Sequence, residues 1–334
     1  MADRNRRLVL AERPTGMVNE HTVRLEESDI PEPGADEALA RVRYLSIDPT
    51  IRTWMNDAPG YLPPIAIDEV VRGGGIAEIV KSNSELYKAG DLVFGFTGWQ
   101  EYVIASQATG YQSLPDGVPP TLALSLFGIT GMTAYFGLID VGRVKEGDVV
   151  VVSGAAGATG STVGQIAKIK GAAKVIGIAG GPQKCAWIVD ELGFDEAIDY
   201  KNENVSARLR EAAPDGLDLY FDNVGGEILD ACLAQLALRG RVVLCGAIST
   251  YNDRGTTTGP VNYRNLIVKR ARMEGFLILD YFDRLDEARA EVAAWLAEGK
   301  ITSSEHIVEG LEHAPGALNL LFTGGNSGKV IVEV

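Results

Sequence analysis

Three glycines spaced three apart, Gly154, Gly157 and Gly160, follow the uninterrupted valine run Val149–Val152. Nearly every side chain between them is as small as alanine. A buried strand that runs into a glycine turn and then a helix brings backbone N–H groups close to a phosphate. Gly154 would allow the turn out of the strand. Gly157 would let the backbone approach a pyrophosphate, and Gly160 would let the helix pack on the strand. A nucleotide-triphosphate cradle needs a lysine directly after its last glycine, and here Ser161 and Thr162 stand there instead. The G-x-x-G-x-x-G spacing is looser than the strict dinucleotide fingerprint, and a close-packed turn without a ligand has the same appearance.

The end of the next strand distinguishes the two dinucleotides. An NAD site places Asp or Glu there, about 20 residues after the loop, to hold the adenosine ribose hydroxyls. Residues 177–184 read "GIAGGPQK": no carboxylate, a glycine pair, then Lys184. A cation without an acid suits a 2′-phosphate, so the residues favour NADPH/NADP+ over NAD(H).

The elements that must position these groups follow from hydrophobic period. Up to about residue 120, short apolar runs alternate with Gly, Asn and Asp turns, which predicts an irregular, mainly antiparallel β domain. From about residue 125 strands and helices alternate. Val163, Ile166, Ala167 and Ile169 give the helix after the glycine loop its apolar face, and Gly171 ends it. Leu285, Ala288, Val292, Trp295 and Leu296 mark a later helix that stops at Gly299. This alternation predicts an α/β class with a Rossmann, doubly wound parallel sheet. The last residues return to a β pattern, which makes the α/β domain (125–300) an insertion in a domain made of 1–124 and 301–334.

Composition excludes several functions. The chain has 334 residues and a formal net charge of -14, which would repel nucleic acid and anionic membranes. No apolar run reaches about 18 residues, so no spanning helix is expected. Its N-terminus is too short in apolar residues for a secretory signal, and a cytoplasmic location is the default. Cys185, Cys232 and Cys245 have no metal-like spacing, and His21, His306 and His313 are scattered. No HExxH, CxxC pair or GxSxG occurs.

Several stretches together resemble one family. They are "YLSIDPTIRTWM", "GITGMTAYFGL", "SGAAGATGSTVGQIAK", "LGFDEAIDYK", "DLYFDNVGGEILD", "GRVVLCGAISTYN", "RMEGF" and "GNSGKVIV", in family order from about residue 44 to the C-terminus. The family is the zinc-independent medium-chain dehydrogenase/reductase group that contains leukotriene B4 12-hydroxydehydrogenase/prostaglandin reductase, alkenal double-bond reductases and curcumin reductase. The resemblance implies a GroES-like catalytic domain around the Rossmann domain, and NADPH-dependent reduction of the C=C bond of α,β-unsaturated ketones and aldehydes.

It also places cofactor contacts at Gly157, Ala158, Thr159 and Gly160, at Lys184 beside the 2′-phosphate, and at Tyr200 and Asn223. Further contacts fall on Cys245, Gly246, Ala247, Ile248, Ser249, Thr250 and Tyr251, on Phe276, Leu277 and Ile278 around the nicotinamide, and on Asn326. Zinc-dependent relatives carry a cysteine ligand where this chain has Ile47, and their His-Glu pair and four-cysteine lobe have no counterpart. No zinc is therefore expected. The chain departs from the family's usual pattern at Thr50, where tyrosine is common, in lacking a proline in "GITGMTAY", and in the glycine-rich "RGGG" at 72–75.

Reduction of an enone builds enolate charge on the carbonyl oxygen, so a donor aimed there lowers the barrier. Tyr251 is the candidate donor, assisted by the nicotinamide ribose hydroxyl; a tyrosine that only packs or touches the cofactor is the alternative. Tyr44, Arg52 and Tyr135 are weaker pocket candidates that could equally be core aromatics or an ion-pair partner. A quinone oxidoreductase of the same superfamily and a non-catalytic NADPH-binding protein remain the competing functions. The final sheet strand in "ARMEGFLIL" has an edge that a monomer would expose, which with the resemblance implies a homodimer.

Overall fold

A computed structural model of the chain describes residues 4–115, 117–253 and 258–334. Its contacts separate two units: Met1–Leu124 with Tyr251–Arg254 and Glu305–Val334, and Ser125–Thr250 with Gly255–Ser304.

In the first unit the strands are β1 (Arg4–Leu10), β2 (Val23–Asp29), β3 (Ala38–Ser46), β4 (Gly75–Ser82), β5 (Leu92–Gly95), β6 (Tyr102–Ala105) and β7 (Gln112–Ser113). The second unit holds β8 (Val149–Ser153), β9 (Lys174–Ala179), β10 (Glu196–Asp199), β11 (Leu217–Asp222), β12 (Leu236–Leu244) and β13 (Arg272–Gly275). The chain then returns to the first unit as β14 (Glu305–Glu309) and β15 (Lys329–Glu333).

The first unit is built on a sheet ordered β14-β15-β3-β4-β5-β7, with β6 also pairing β3, beside the antiparallel hairpin β1–β2. Its pairings are antiparallel except that of β14 with β15. "EALARVRYLSI" shows only partial alternation because β3 lies between three partners. Seven of its nine residues are apolar or small, and those at Ala38, Ala40, Val42 and Leu45 are fully buried.

The second unit has the order β10-β9-β8-β11-β12-β13, with every neighbouring pair parallel. Numbered within the sheet, this is 3-2-1-4-5-6, the doubly wound arrangement that the strand–helix alternation predicts. Val150, Val151 and Val152 are completely buried because helices cover both faces of this central strand. Burying each valine in full is worth about 1.5–3 kcal/mol.

The helix Ala158–Ile169 packs directly against the turn after β8 and against Phe194 because glycine removes the side chains that would separate them. A Cβ on Gly160 would lie 2.3 Å from the Gly154 carbonyl oxygen, and one on Gly164 would lie 1.9 Å from the Phe194 ring. Gly177 on β9 is similarly closed by Ile188. The stops read from the sequence are present. Gly171 and Gly299 both take the left-handed conformation just past the helices Ala158–Ile169 and Leu285–Ala297. Among the described residues no helix is long and apolar enough to cross a membrane.

Candidate functional site

The sheet order reverses between β8 and β11, and the loops after these strands form the crevice where α/β sheets bind ligands. After β8 the chain turns at Gly154, whose φ of +59° suits glycine. Gly157 then caps the helix Ala158–Ile169 in an extended conformation, and its N–H donates to the Gly154 carbonyl at 2.9 Å. The two glycines either side of Ala158 and Thr159 differ in kind. Gly160 is demanded by packing, whereas a Cβ on Gly157 would meet only the Gly154 oxygen, at 3.3 Å. Space beside Gly157 is therefore left clear by the protein itself. The first turn of the helix carries no acidic residue, so its free N–H groups and positive dipole end face no competing charge there.

At the end of β9 a second cluster forms. Gly181, with φ +95°, caps the helix Pro182–Asp190 that carries Lys184. The Tyr200 ring and the Lys201 stem lie across Gly180, where a Cβ would come within 2.9 and 3.0 Å of them. Burial pushes the Lys184 ammonium below its usual pKa, and the nearby Lys201 charge pushes it further down. Lys184 and Lys201 thus lie near enough for their charges to interact.

Sequence reasoning missed Lys201 and also Asp199, which sits at the end of β10. Asp199 accepts from the Gly181 N–H at 2.8 Å, the Lys201 N–H at 3.0 Å and the Asn202 amide at 2.7 Å. Its burial raises the pKa, but these donors outweigh that and hold the carboxyl below the usual range. The third strand thus brings a carboxylate to the "GIAGGPQK" turn, with its oxygens already bound to protein donors. The only available signal was "DYK", which sets that acid, Tyr200 and Lys201 side by side.

The loops after β11 and β12 are bonded to each other. Asn223 donates its side-chain amide to the Ser153 carbonyl at 2.7 Å. Cys245 and Gly246 donate their N–H groups to the Asp222 carbonyl at 2.9 and 3.1 Å. Ser249 donates to the Val224 carbonyl through both its N–H and its hydroxyl, at 3.1 and 2.6 Å. Thr250 bonds back to Ala247 at 2.9 Å, closing the short helical turn Ile248–Thr250 that leads to half-buried Tyr251. Burial, then the charge of Asp222, pushes the Cys245 thiol up to about 12, so it is no nucleophile at neutral pH. After β13, the Phe276 ring packs edge-on to Phe221 at 6.5 Å, and Leu277 and Ile278 follow at the start of a short helical turn.

In the first unit, β3 ends at a polar knot. Lys329 is completely buried, and its ammonium donates to the Ile47 carbonyl at 2.7 Å and to Asp48 at 2.8 Å. Ser46 donates to the other Asp48 oxygen at 2.5 Å. This fixes the "SIDPT" segment that opens the helix Thr50–Trp54. Tyr61, from the loop after this helix, packs edge-on to Trp54 with ring centroids 6.1 Å apart.

The weaker pocket candidates are engaged internally. Arg52 is fully buried and donates to the Gly16 carbonyl at 2.8 Å, to Asn56 at 2.7 Å and to the Pro14 carbonyl at 3.3 Å. Tyr135 is buried against Phe136 and Trp295 and donates its hydroxyl to Glu291. Both therefore serve as ties within their own units. Tyr44 is half-buried with its hydroxyl 3.5 Å from Glu333. Asn326 is buried and donates to the Gly328 carbonyl within its own loop, at 3.1 Å.

A parallel sheet of this order with a glycine turn at its reversal defines the dinucleotide-binding class of α/β proteins. Comparisons with known proteins agree. Residues 6–114 match the family described as N-terminal domain of oxidoreductase, and residues 158–298 match the one described as zinc-binding dehydrogenase. The chain is 41% identical to the NADPH-dependent curcumin reductase of Escherichia coli, covering 99% of this chain and 97% of that protein. It is 40% identical to the NADP(+)-dependent 2-alkenal reductase of Nicotiana tabacum, with the same coverage. The crystal structure of CurA in complex with NADPH from Vibrio vulnificus is 43% identical, with a TM-score of 0.94 over 98% of this chain and 99% of that one.

The chain belongs to the zinc-independent medium-chain dehydrogenase/reductase family. Among the described residues no group of three His, Cys, Asp or Glu side chains is arranged to hold a metal ion.

The Lys329 knot makes a stability prediction. Removing one partner of a buried charge pair costs roughly 3 kcal/mol, because the other charge stays buried. Lys329→Met should lower the unfolding free energy measured by urea titration by that amount, and an unchanged value would show that the knot carries no such load.

Proposed function

We propose that the chain reduces the C=C bond of α,β-unsaturated ketones and aldehydes with NADPH. Cofactor choice is carried by one observation, the Lys184–Lys201 pair beside a carboxylate already bound to protein donors. A 2′-phosphate satisfies both cations, whereas a ribose 2′-hydroxyl would leave them repelling each other. The clear space at Gly157 fits a pyrophosphate on the helix N-terminus. The substrate class rests on the relatives, whose names specify an enone and an enal reductase.

When bound, the nicotinamide supplies a hydride for the β-carbon. This chain's residues do the remainder. Gly157, Ala158, Thr159 and Gly160 present backbone to the pyrophosphate, and Lys184 and Tyr200 hold the adenosine end. Asn223 and the stretch Cys245–Thr250 line the other half of the crevice, with Phe276, Leu277 and Ile278 beside the nicotinamide. Asn326 is a further cofactor contact. Tyr251 donates to the substrate's carbonyl oxygen as enolate charge builds, together with the ribose hydroxyl, and a proton is delivered to the α-carbon. No zinc is needed as Lewis acid, because a hydrogen-bond donor suffices for an enolate. In this reading residues 125–300 bind the cofactor, and 1–124 with 301–334 form the GroES-like catalytic domain.

The enzyme acts as a homodimer in the cytoplasm. The cysteines are all free thiols, as suits a reducing compartment. At one end of the parallel sheet β13 is paired, among the described residues, only with β12, and the segment before it exposes Val261, Ile267 and Val268. An edge flanked by apolar side chains is a template for a second copy. Sedimentation equilibrium should give twice the chain mass, and a monomer at micromolar concentration would contradict this.

Two substitutions test the chemistry. Lys184→Glu should raise the Michaelis constant for NADPH far more than that for NADH, since it places an acid against the 2′-phosphate. Because the Lys184 ammonium loses its proton more readily than free lysine, the wild-type preference for NADPH should also weaken as pH rises, from below the usual lysine range. Equal effects on both cofactors would remove the assignment. Tyr251→Phe should reduce turnover about tenfold or more, the scale of losing one donor to a developing oxyanion, with NADPH affinity nearly unchanged. Turnover within about twofold of wild type, roughly 0.4 kcal/mol, would show that Tyr251 is not the donor.

A further inference from the structure

The hydrogen-bond ladder between β8 and β11 runs from Leu219 opposite Val150 to Phe221 opposite Val152 and then stops. Ser153 and Asp222 are the next residues on the two strands. They stand where the sheet reverses and the two mononucleotide-binding halves meet. At this position side chains take over from the backbone. The Ser153 hydroxyl donates to Asp222 Oδ1 at 3.0 Å, and the Asn223 N–H donates to the Ser153 hydroxyl at 2.9 Å.

Asp222 Oδ1 is shared by three more donors. They are the Tyr220 hydroxyl at 2.6 Å, the Val224 N–H at 3.0 Å and the Gly225 N–H at 2.9 Å. The Asp222 carbonyl meanwhile receives Cys245 and Gly246, and the Asn223 carbonyl receives Ile248 at 3.2 Å. One residue thus joins the strand that feeds the phosphate loop, the turn after β11, and the loop that ends in Tyr251.

Stability alone does not account for this residue. Asp222 is completely buried, and its second oxygen, Oδ2, has no hydrogen-bond partner among the described residues. Burying a carboxyl group with one oxygen unpaired costs stability. Burial raises its pKa even against the four donors, which agrees with a site held at a cost. What the arrangement supplies is register. Oδ1 fixes the Val224–Gly225 turn, and that turn holds Ser249 by two bonds at the Val224 carbonyl.

We propose that Asp222 is a positioning residue that sets the nicotinamide half of the crevice, and the turn Ile248–Thr250 leading to Tyr251, in register with the phosphate loop. The proposal rests on the reductase reading given above. It separates two functions of one crevice. Pyrophosphate anchoring belongs to Gly157–Gly160 and does not need Asp222, whereas alignment for hydride transfer does.

The test compares full-length wild type with Asp222→Ala, Asp222→Asn and Ser153→Ala. NADPH affinity and the emission of bound NADPH are read by fluorescence. Turnover is read with 4-hydroxynonenal, using NADPH and NADPH deuterated at the transferred position. Asp222→Ala should lower turnover at least tenfold and raise the deuterium isotope effect, with the NADPH dissociation constant within threefold of wild type. Its bound cofactor should emit more like free NADPH.

Asp222→Asn keeps an acceptor oxygen for the same donors and should recover most of the turnover and the emission. Should Asp222→Ala fail to fold, Ser153→Ala carries the same expectation at about threefold. Three results would overturn the proposal: turnover and emission unchanged in the alanine variants, NADPH affinity lost in step with turnover, or the asparagine variant no better than alanine. The emission and affinity comparison stands even if wild type reduces no enone, an outcome that would instead refute the reductase reading.

Discussion

Close backbone contact between the helix Ala158–Ile169 and the sheet is the constraint on which the cofactor crevice depends. It exists because Gly160 and Gly164 present no side chain to the Gly154 carbonyl and the Phe194 ring. With the helix seated so low, its N-terminus opens at the end of β8, where the sheet order reverses. The helix N-terminus then presents free N–H groups and a positive dipole end to the crevice without any charged side chain. Gly157 does something different in the same loop. A Cβ there would meet only the Gly154 carbonyl oxygen, at 3.3 Å, a far milder contact than the 2.3 Å at Gly160. The two glycines of one short motif are therefore constrained to different degrees.

Much of this was legible in the sequence because it is local. The valines of β8, the glycine loop, the helix face beginning at Val163 and the stops at Gly171 and Gly299 all lie within a few residues of what they determine. The doubly wound parallel class of the sheet followed from strand and helix alternation. What the sequence concealed depends on contacts between distant segments. Lys201 reaches Gly180 only because β10 lies beside β9, and Asp199 bonds the Gly181 N–H for the same reason. Arg52 looks like a pocket cation in "SIDPTIR", yet the carbonyls of Pro14 and Gly16 draw it inward. Tyr135 is similarly held by Glu291, 156 residues away. The parallel pairing of β14 with β15 also has no local signature.

The lysines show how environment assigns role. Lys329 is surrounded by acceptors and its charge is spent on holding the Ile47–Asp48 segment. Lys184 has a second lysine for a neighbour, whose charge disfavours its own. The residue type is the same, while the partners decide between architecture and recognition. A similar division holds at the reversal of the sheet. There Ser153 and Asp222 continue a pairing that the backbone has already given up.

The proposed reaction joins two parts of the chain, the lysine pair that would take the 2′-phosphate and the donor after β12 that would meet the enolate. The most direct measurement follows absorbance at the nicotinamide band while wild-type enzyme meets 4-hydroxynonenal or a simple enone, in parallel with NADH and with a quinone. Rapid NADPH consumption with the enone, slow consumption with NADH and little with the quinone is the predicted result. Consumption with the quinone but not the enone, or binding of NADPH without turnover of either, would contradict it.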